Sequence, residues 1–297
     1  MMTGPENRTP FALRDLEWVI NSPFLLKEFP EPDLARHPET KALLTRLRAD
    51  PEPLLEHLAT TPRLNLGRYF EQLVIFWLDN LPSVRLIGSN IPIFREKRTL
   101  GEIDLIFLYE GTARHWELSI KFYLNTGSPS DEADFVGPML KDTLKRKLDR
   151  LYGHQLSLPD QTETIAMFKS LGIGDVTSCP WVKGCLFYPA PYGPTQPAPH
   201  RISMQGMRGE WRDRSRLTET PLPNFDHFQI LEKKRWITPY FYPDEATTGT
   251  VSDLLAEIDK AIEGRPMPYL VHLMRDDGKE KLTSLGQLFI TPEGWPD

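Results

Sequence analysis

The sequence predicts a mixed α/β fold (α+β), in which a central mixed sheet is flanked by helices. Three patterns support this class. An almost wholly apolar helical segment covers about residues 66–81, and two strand-like runs with alternating polar and apolar residues follow between Thr99 and Leu124. A further amphipathic helix and another strand come next, so helices and strands alternate along the chain. With 40% hydrophobic and 26% charged residues, the chain can bury a sizeable core.

The N-terminal part is predicted to be helical. Helices are expected at residues 11–21 and about 40–58, and the second is broken near Pro51 and Pro53 because proline disrupts a helix interior. The helix at about 66–81 has apolar residues almost all round its axis, so it should be largely buried.

Glu71 is an exception within this apolar helix. A buried carboxylate is costly unless it is paired, hydrogen-bonded or bound to a metal. Two explanations stay open: Glu71 is bonded to Arg68, Tyr69 or nearby backbone as a structural residue, or it belongs to a functional site. Gly67, one turn earlier, leaves space beside it.

The segment from Thr99 to Leu124 is predicted to form a β-hairpin, with Glu110 and Gly111 as its tight turn. Each run should bury one face and show a polar one, because successive strand side chains point to opposite sides. The polar face concentrates carboxylates where a solvated strand more often carries Thr, Ser and Lys. Its members are Glu102, Asp104, His115, Glu117, Ser119 and Lys121.

Two pairing registers of this hairpin are considered. If the two turn residues are the whole loop, Asp104 faces Glu117, and such close carboxylates need a cation or a proton between them. A register two residues longer instead pairs Glu102 with Lys121 and Asp104 with Ser119, which is an ordinary cross-strand ion pair.

The chain after the hairpin combines a basic helix with short strands. The helix is expected at 137–155, with Met139, Leu140, Leu144, Leu148 and Leu151 on its inner face. Its residues Lys141, Lys145 and Arg146 could contact nucleic-acid phosphates or form a solvated face. Strands are predicted at about 182–190, 200–207, 235–242 and 287–292, a loop at 208–216, and a helix at 251–264.

Composition limits the functional classes. The net charge of −6 argues against a protein that coats nucleic acid by bulk charge, so any polyanion site must be local. Cys179 and Cys185 form neither a CxxC pair nor half of a zinc site, and are expected to be reduced. Neither a signal peptide nor an apolar run approaching about 18 residues occurs, so we expect a soluble, cytoplasmic protein without a membrane partner.

Four features of the chain together resemble the PD-(D/E)XK nuclease superfamily, which includes restriction endonucleases and Holliday-junction resolvases. They are Glu71, the GEIDLI strand with Asp104, the hairpin turn, and the WELSIKF strand with Glu117 and Lys121. The combination is also similar to a bacterial family of unknown function placed in that superfamily. The resemblance implies a restriction-endonuclease-like sheet with extra N-terminal helices and C-terminal strands. The implied regions are a helical extension at 1–64, a nuclease-like core at 65–190 and a C-terminal extension at 191–297.

The same resemblance implies a hydrolase that cleaves phosphodiester bonds of DNA or RNA. Asp104 and Glu117 would hold Mg²⁺ or Mn²⁺, Lys121 would act on a metal-bound water, and Glu71 would position that water or the helix-side ligands. Glu102 and Ser119 share this face and would support the ligands. The resemblance implies nucleic acid as the partner, with DNA preferred over RNA, and it is compatible with a homodimer.

The sequence departs from the superfamily pattern at Lys121. The usual interval between carboxylate and lysine is two residues, whereas Glu117 and Lys121 are four apart, or roughly 13 Å instead of about 7 Å along a strand. Either the strand bends or Lys121 reaches back, or else Ser119 takes a normally catalytic position in an inactive relative. The sequence thus leaves three hypotheses: a nuclease, a catalytically inactive nucleic-acid-binding module, and a protein without a nucleic-acid role, such as a scaffold or another metal-dependent enzyme.

Overall fold

The computed structural model describes residues 10–28, 33–61, 65–191, 196–217, 221–241, 245–276, 278 and 282–296. Within them the fold is mixed α/β with mostly antiparallel strands, which confirms the predicted class. The chain forms two compact units, the first made of residues 1–120 and 148–183, the second of residues 121–147 and 184–297. The three regions drawn from the sequence stay a prediction, and the bound at residue 64 lies outside the described residues.

The helices are α1 (Phe11–Asn21), α2 (Pro38–Ala49), α3 (Glu52–Ala59), α4 (Leu66–Asp79), α5 (Leu144–Gly153), α6 (Thr162–Ser170) and α7 (Val251–Gly264). The strands are β1 (Val84–Arg95), β2 (Arg98–Tyr109), β3 (Thr112–Asn125), β4 (Phe135–Val136), β5 (Val176–Pro189), β6 (Met207–Asp213), β7 (His227–Leu231), β8 (Thr247–Thr248), β9 (Tyr269–Asp276) and β10 (Leu282–Thr291). Strands β3 and β5 each begin in the first unit and end in the second.

The N-terminal helices follow the sequence prediction. The expected break separates α2 from α3 at Pro51, which precedes the first residue of α3. Helix α4 begins after Asn65, whose side-chain oxygen accepts a hydrogen bond from the backbone N–H of Arg68 at 3.0 Å and so caps the helix. Seven of its residues are buried, as its apolar circumference predicts.

The β2–β3 hairpin adopts the shorter of the two predicted registers. Tyr109 pairs with Thr112, and the antiparallel pairing continues to Leu105 opposite Trp116. Glu110 and Gly111 form the turn with positive φ angles of 49° and 77°, as a two-residue hairpin turn with this twist requires. The longer register is therefore wrong.

One face of the hairpin packs into an aromatic core of the first unit. Trp116 of β3 stacks on Trp181 of β5 with ring centroids 4.3 Å apart, and Trp77 of α4 lies 5.2 Å from Trp181. Phe107 of β2 meets Trp116 edge-on at 4.8 Å. These large rings bury much apolar area and hold α4 against the hairpin.

The opposite face of β3 is also buried, so the expectation of a solvent-facing polar side is wrong for this strand. His115, Glu117 and Ser119 are exposed by only 0%, 1% and 8%. The reason is tertiary: Leu158 and residues of α6 pack in one apolar cluster with side chains of the hairpin. The cluster contains Ile93, Ile103, Ile106, Ala113, Leu158, Phe168 and Ile173.

Several local predictions after the hairpin need correction. Helix α5 begins at Leu144 and not at residue 137, because residues 137–143 form a turn in which Leu140 has a positive φ of 55° and is 48% exposed. Leu144, Leu148 and Leu151 are buried as predicted.

In the C-terminal part, helix α7 is confirmed at the predicted residues, and β10 covers the strand expected near residue 290. The segment 208–216, expected to be a loop, instead supplies most of β6. The described residues of 200–206 and 235–241 are not strands. Cys179 and Cys185 are both free, as predicted.

The strands of the second unit pair in the order β5-β6-β10-β9-β7-β8, and β4 pairs with β3. The pairs β5–β6 and β6–β10 are parallel and the others antiparallel. Helix α7 contributes Leu254 and Ile258 to the apolar cluster that covers this sheet, where they pack with Phe228, Val271 and Ile290.

Gly184 of β5 permits a close approach to β3 within the second unit. Its φ is +139°, and a Cβ atom built on it would lie 1.8 Å from the backbone oxygen of Lys121. We expect Gly184→Ala to lower the free energy of unfolding by about 3 kcal/mol or more, because it adds both backbone strain and a clash with main chain. Urea denaturation measures the loss.

Gly264→Ala is the matched control, since no atom lies within 4 Å of the added methyl group at the end of α7. This control should be neutral or stabilising. Equal stability of Gly184→Ala and the wild-type protein would contradict the close approach.

Candidate active site

Asp104 is held at the point where the β2–β3 pairing ends. The next step of the observed register sets it opposite Glu117. Its Oδ2 accepts a hydrogen bond from the backbone N–H of Leu118 at 2.9 Å, so the carboxylate takes a donor from the neighbouring strand. The side chain is half-buried, which leaves the group partly accessible. The hydrogen bond from β3 therefore orients the Asp104 carboxylate.

Glu117 is almost completely buried, and its polar neighbours are Gln155 and His115. Its Oε1 accepts a hydrogen bond from the side-chain amide of Gln155, and its Oε2 lies 3.7 Å from Nε2 of His115. Gln155 begins the 3-10 helix Gln155–Asp160, whose Leu158 covers this face. The burial of Glu117 is therefore supported by specific polar contacts.

His115 lies two residues before Glu117 on the same strand face. Its Nδ1 is 3.1 Å from the Ser178 hydroxyl, and the ring is fully buried. Burial lowers the pKa of His115 to about 4, although the Asp104 carboxylate opposes that change. At neutral pH the imidazole is therefore uncharged and does not neutralise Glu117. The period-two spacing could have indicated His115, whereas no local signal points to Gln155.

Glu71 lies near the N-terminus of α4, three residues after Arg68, and its side chain is 19% exposed. Arg68 Nη1 is 3.0 Å from its Oε2, which confirms the structural partner expected for it. Burial raises the pKa of Glu71, Arg68 opposes this, and the negative charges of Asp104 and Glu102 raise it further. The carboxylates of Asp104 and Glu102 therefore repel that of Glu71, although Arg68 is present.

The two supporting residues differ in exposure. Glu102 is 43% exposed, and its Oε1 lies 4.0 Å from Arg68 Nη2. Ser119 is buried in β3, one residue before the end of the first unit's part of that strand. The solvent-exposed Glu102 carboxylate therefore contributes negative charge near the site, whereas Ser119 contributes only a buried hydroxyl.

Lys121 lies in the second unit, where its ammonium group is 3.0 Å from Oδ2 of Asp142. The Tyr123 hydroxyl donates to the same oxygen at 2.9 Å. Burial opposes ionisation of Asp142, but its hydrogen bonds with Lys121 and Tyr123 outweigh that effect and lower its pKa. The suggested pairing of Lys121 with Glu102 is therefore replaced by a pair with Asp142.

The basic residues predicted to contact phosphates occupy different settings within the second unit. Arg146 donates to the backbone oxygen of Lys141 and lies 3.7 Å from Oδ1 of Asp142. Lys145 instead lines an open cleft of about 430 Å³ together with residues of the segment after β3. The other lining residues are Ser128, Ser130, Asp131, Glu132 and His200.

The metal site predicted from the sequence stays a prediction. Across the described residues, no three His, Cys, Asp or Glu side chains are grouped closely enough to hold a metal ion. Asp104 and Glu117 offer oxygen ligands at neighbouring strand positions, and Glu71 adds charge nearby. Mg²⁺ keeps several waters in protein sites, so water would complete the coordination of an ion held by these carboxylates.

Together, the fold and this site define a mixed α/β protein with a carboxylate-bearing, largely buried β-hairpin. The chain belongs to the family described as a domain of unknown function, DUF1853, whose model matches residues 14–291. No curated protein and no solved structure matches the chain. None of the helices in the described ranges is both long and apolar enough to cross a membrane.

Proposed function

We propose that this protein is a nuclease that requires Mg²⁺ or Mn²⁺ and hydrolyses phosphodiester bonds, of DNA before RNA. The hairpin register supports the proposal, because Asp104 and Glu117 are the next residues after its last pair, Leu105 with Trp116, and the Leu118 N–H donates to the Asp104 carboxylate. The raised pKa of Glu71 adds to it, since Asp104 and Glu102 contribute to that increase. Carboxylates concentrated in this way are stabilised by a bound cation.

Asp104 and Glu117 are the residues that would hold the ion, because their hard oxygen atoms match its ligand preference. Gln155, whose NH₂ group donates to Glu117, would help to keep this carboxylate oriented toward the ion. The ion would polarise the scissile phosphate and lower the pKa of a coordinated water. Neutral His115 would keep Glu117 from being neutralised by a protonated imidazole.

The remaining residues would orient the reacting groups. Glu71, held by Arg68, would position the attacking water or take up its proton, for which a raised pKa is suited. The superfamily resemblance implies that Lys121 stabilises charge on the phosphate, and this role stays a prediction from the sequence.

A thermal melt tests the metal site without a known substrate. Millimolar Mg²⁺ or Mn²⁺, with a short DNA duplex present, should raise the melting temperature of the wild-type protein by mass action. Asp104→Asn should abolish this increase. In metal-free buffer the same variant should melt no lower than the wild type, because it loses carboxylate repulsion while its amide oxygen can still accept the Leu118 N–H.

Asp79→Asn at the exposed end of α4 is the control, since it makes the same chemical change away from the hairpin. It should keep the full metal response. The proposal would be overturned if neither ion raises the melting temperature of the wild-type protein, with or without the duplex.

A catalytically inactive nucleic-acid-binding protein is the second candidate. The hydrogen bond from Gln155 to Glu117 and the lack of a three-ligand group among the described residues favour it. It predicts DNA binding that weakens steeply with salt and no turnover in either metal. Metal-dependent loss of the substrate strand would exclude it.

A further inference from the structure

The charged site residues predicted for the first unit are all carboxylates. They are Glu71, Glu102, Asp104 and Glu117. The predicted lysine, Lys121, instead pairs with Asp142 in the second unit. Phosphodiester hydrolysis also needs a cation that offsets negative charge on the phosphate. The first unit offers one in Arg68, which was expected only as a structural partner of Glu71.

Arg68 is anchored through one of its terminal nitrogens to two elements of the first unit. Nη1 donates to Oε2 of Glu71 in α4 at 3.0 Å and to Oδ1 of Asn90 in β1. Within the described residues, neither Nε nor Nη2 has a hydrogen-bond partner, and Nη2 lies 4.0 Å from Oε1 of Glu102, too far for a hydrogen bond. The Nε–Nη2 edge of the guanidinium, which suits bidentate binding of an oxyanion, is therefore open.

Asn90 links this guanidinium to the carboxylate site. In the β1–β2 register, Asn90 and Asp104 are the residues between two successive pairs, Ser89 with Leu105 and Ile91 with Ile103. Asn90 and Asp104 are therefore cross-strand neighbours. Asn90 has a φ of 52°, which asparagine adopts more readily than most other residues. The acceptor that holds Arg68 thus lies beside the proposed metal ligand.

The position of Arg68 has a structural explanation that is incomplete. Arg68 is the third residue of α4, where the helix dipole disfavours a cation, so the helix itself does not account for it. Neutralising Glu71 explains the contact of Nη1 but leaves the Nε–Nη2 edge without a role. The side chain is 47% exposed, so a ligand can reach this edge from solvent.

We propose that Arg68 binds the scissile phosphate of a nucleic acid through Nε and Nη2 and offsets the negative charge that develops on it. The proposal rests on the proposed function for the class of ligand, whereas the anchored Nη1 and the open edge are features of the structure itself. A planar guanidinium matches two phosphate oxygens, which a neutral ligand does not provide.

Fluorescence anisotropy of the full chain with a labelled DNA duplex tests this contact, with EDTA present so that metal-dependent cleavage does not occur. Arg68→Gln should weaken binding roughly 5- to 10-fold at low salt and reduce the slope of log K against log salt by about 0.9. Arg68→Lys should keep the wild-type slope, because it retains the charge, but recover only part of the affinity, because it lacks the fork. An unchanged affinity and slope for Arg68→Gln would overturn the contact.

A double variant separates a phosphate contact from simple charge balance. Arg68→Gln combined with Glu71→Gln has the same net charge as the wild type. If Arg68 only neutralises Glu71, this variant should bind DNA as the wild type does. If Arg68 contacts phosphate, the variant should bind several-fold more weakly than Glu71→Gln alone and than the wild type. Wild-type affinity of the double variant would overturn the proposal.

Arg48→Gln is the matched control, because Arg48 is likewise exposed, by 57%, and paired with a glutamate, Glu17, at 2.7 Å. It should bind within about twofold of the wild type. Thermal melts check the fold: Arg68→Gln should melt lower than the wild type, since it leaves carboxylates without a counter-charge, and the double variant should recover part of that loss. Equal losses of binding for Arg68→Gln and Arg48→Gln would indicate bulk charge and overturn the contact.

Inorganic phosphate distinguishes a nucleic-acid backbone from a small phosphate ligand. At millimolar concentration it should displace the duplex only weakly, because a duplex gains further contacts along its backbone. Complete displacement at that concentration, or no DNA binding by the wild type, would overturn the proposal. If the Arg68 tests fail while the metal response persists, the carboxylate site stands; if they succeed without any metal response, Arg68 remains a DNA contact of an inactive protein.

Discussion

Replacing Asp104 with Asn is expected to lower metal-dependent hydrolysis of DNA by at least about 100-fold. Loss of an outer partner of a metal ligand already costs about 10- to 100-fold, and Asp104 is proposed as a ligand itself. The side chain keeps its size and can still accept the hydrogen bond from the Leu118 N–H, so the fold should be unchanged. Cleavage of a labelled duplex under matched Mg²⁺ and Mn²⁺ concentrations measures the effect.

Glu117→Gln should cause a comparable loss, whereas Asp79→Asn on the exposed end of α4 should retain wild-type rates. Circular dichroism of each variant separates lost activity from lost structure. If Asp104→Asn cleaves as fast as the wild type, Asp104 is not a metal ligand, and any hydrolysis would have to be assigned to other residues or to a contaminant.

The second large effect concerns Lys183, which is completely buried in the first unit. Its ammonium group donates to the Ser22 backbone oxygen and lies 3.8 Å from the centroid of the Phe24 ring. Burial lowers its pKa from 10.5 to about 7, despite the opposing charge of Asp33. The unfolded chain therefore binds more protons than the folded chain between these two pH values.

The wild-type free energy of unfolding should consequently rise with pH from about 7 towards 10.5. The contribution of Lys183 is at most about 1.4 kcal/mol per pH unit. It is fully present above the unfolded pKa and is lost as the pH falls through the folded value. Lys183→Met should remove this contribution and be more stable than the wild type at pH 6. Urea denaturation of both proteins across this pH range measures the difference.

Lys169→Met serves as the control, because Lys169 is exposed in the last turn of α6. It should reproduce the wild-type pH dependence, including the titration of all other groups. Parallel stability curves for the wild type and Lys183→Met would show that Lys183 keeps an ordinary pKa in the folded protein.

The hairpin shows how far local sequence information reaches. Glu110 and Gly111 suit a two-residue turn with positive φ, and the sequence left two registers open. The structure adopts the shorter one, with Tyr109 opposite Thr112 and Leu105 opposite Trp116. Helices α1, α4 and α7 were likewise predictable, because their apolar periodicity is a local property. The turn and strands that carry the carboxylate pair are thus a consequence of neighbouring residues in the chain.

The environment of that pair was not predictable. A period-two pattern states which side chains share a face, but not whether another element covers it. The segment with Gln155 and Leu158 covers the Glu117 face, although Gln155 was expected only as the last residue of a helix. Asp142 was equally unexpected as the partner of Lys121, since the residues are 21 apart and meet only through the turn 137–143.

The sequence by itself determined the mixed α/β class, the hairpin with its two-residue turn and the position of Glu71 on a buried helix, because each depends on residues close in the chain. Tertiary structure decided the burial of Glu117, the neutral state of His115 and the pairing of Lys121 with Asp142. These properties depend on desolvation and on charges from distant segments. Only the folded chain sets both, since each varies with distance in space and not with separation in sequence.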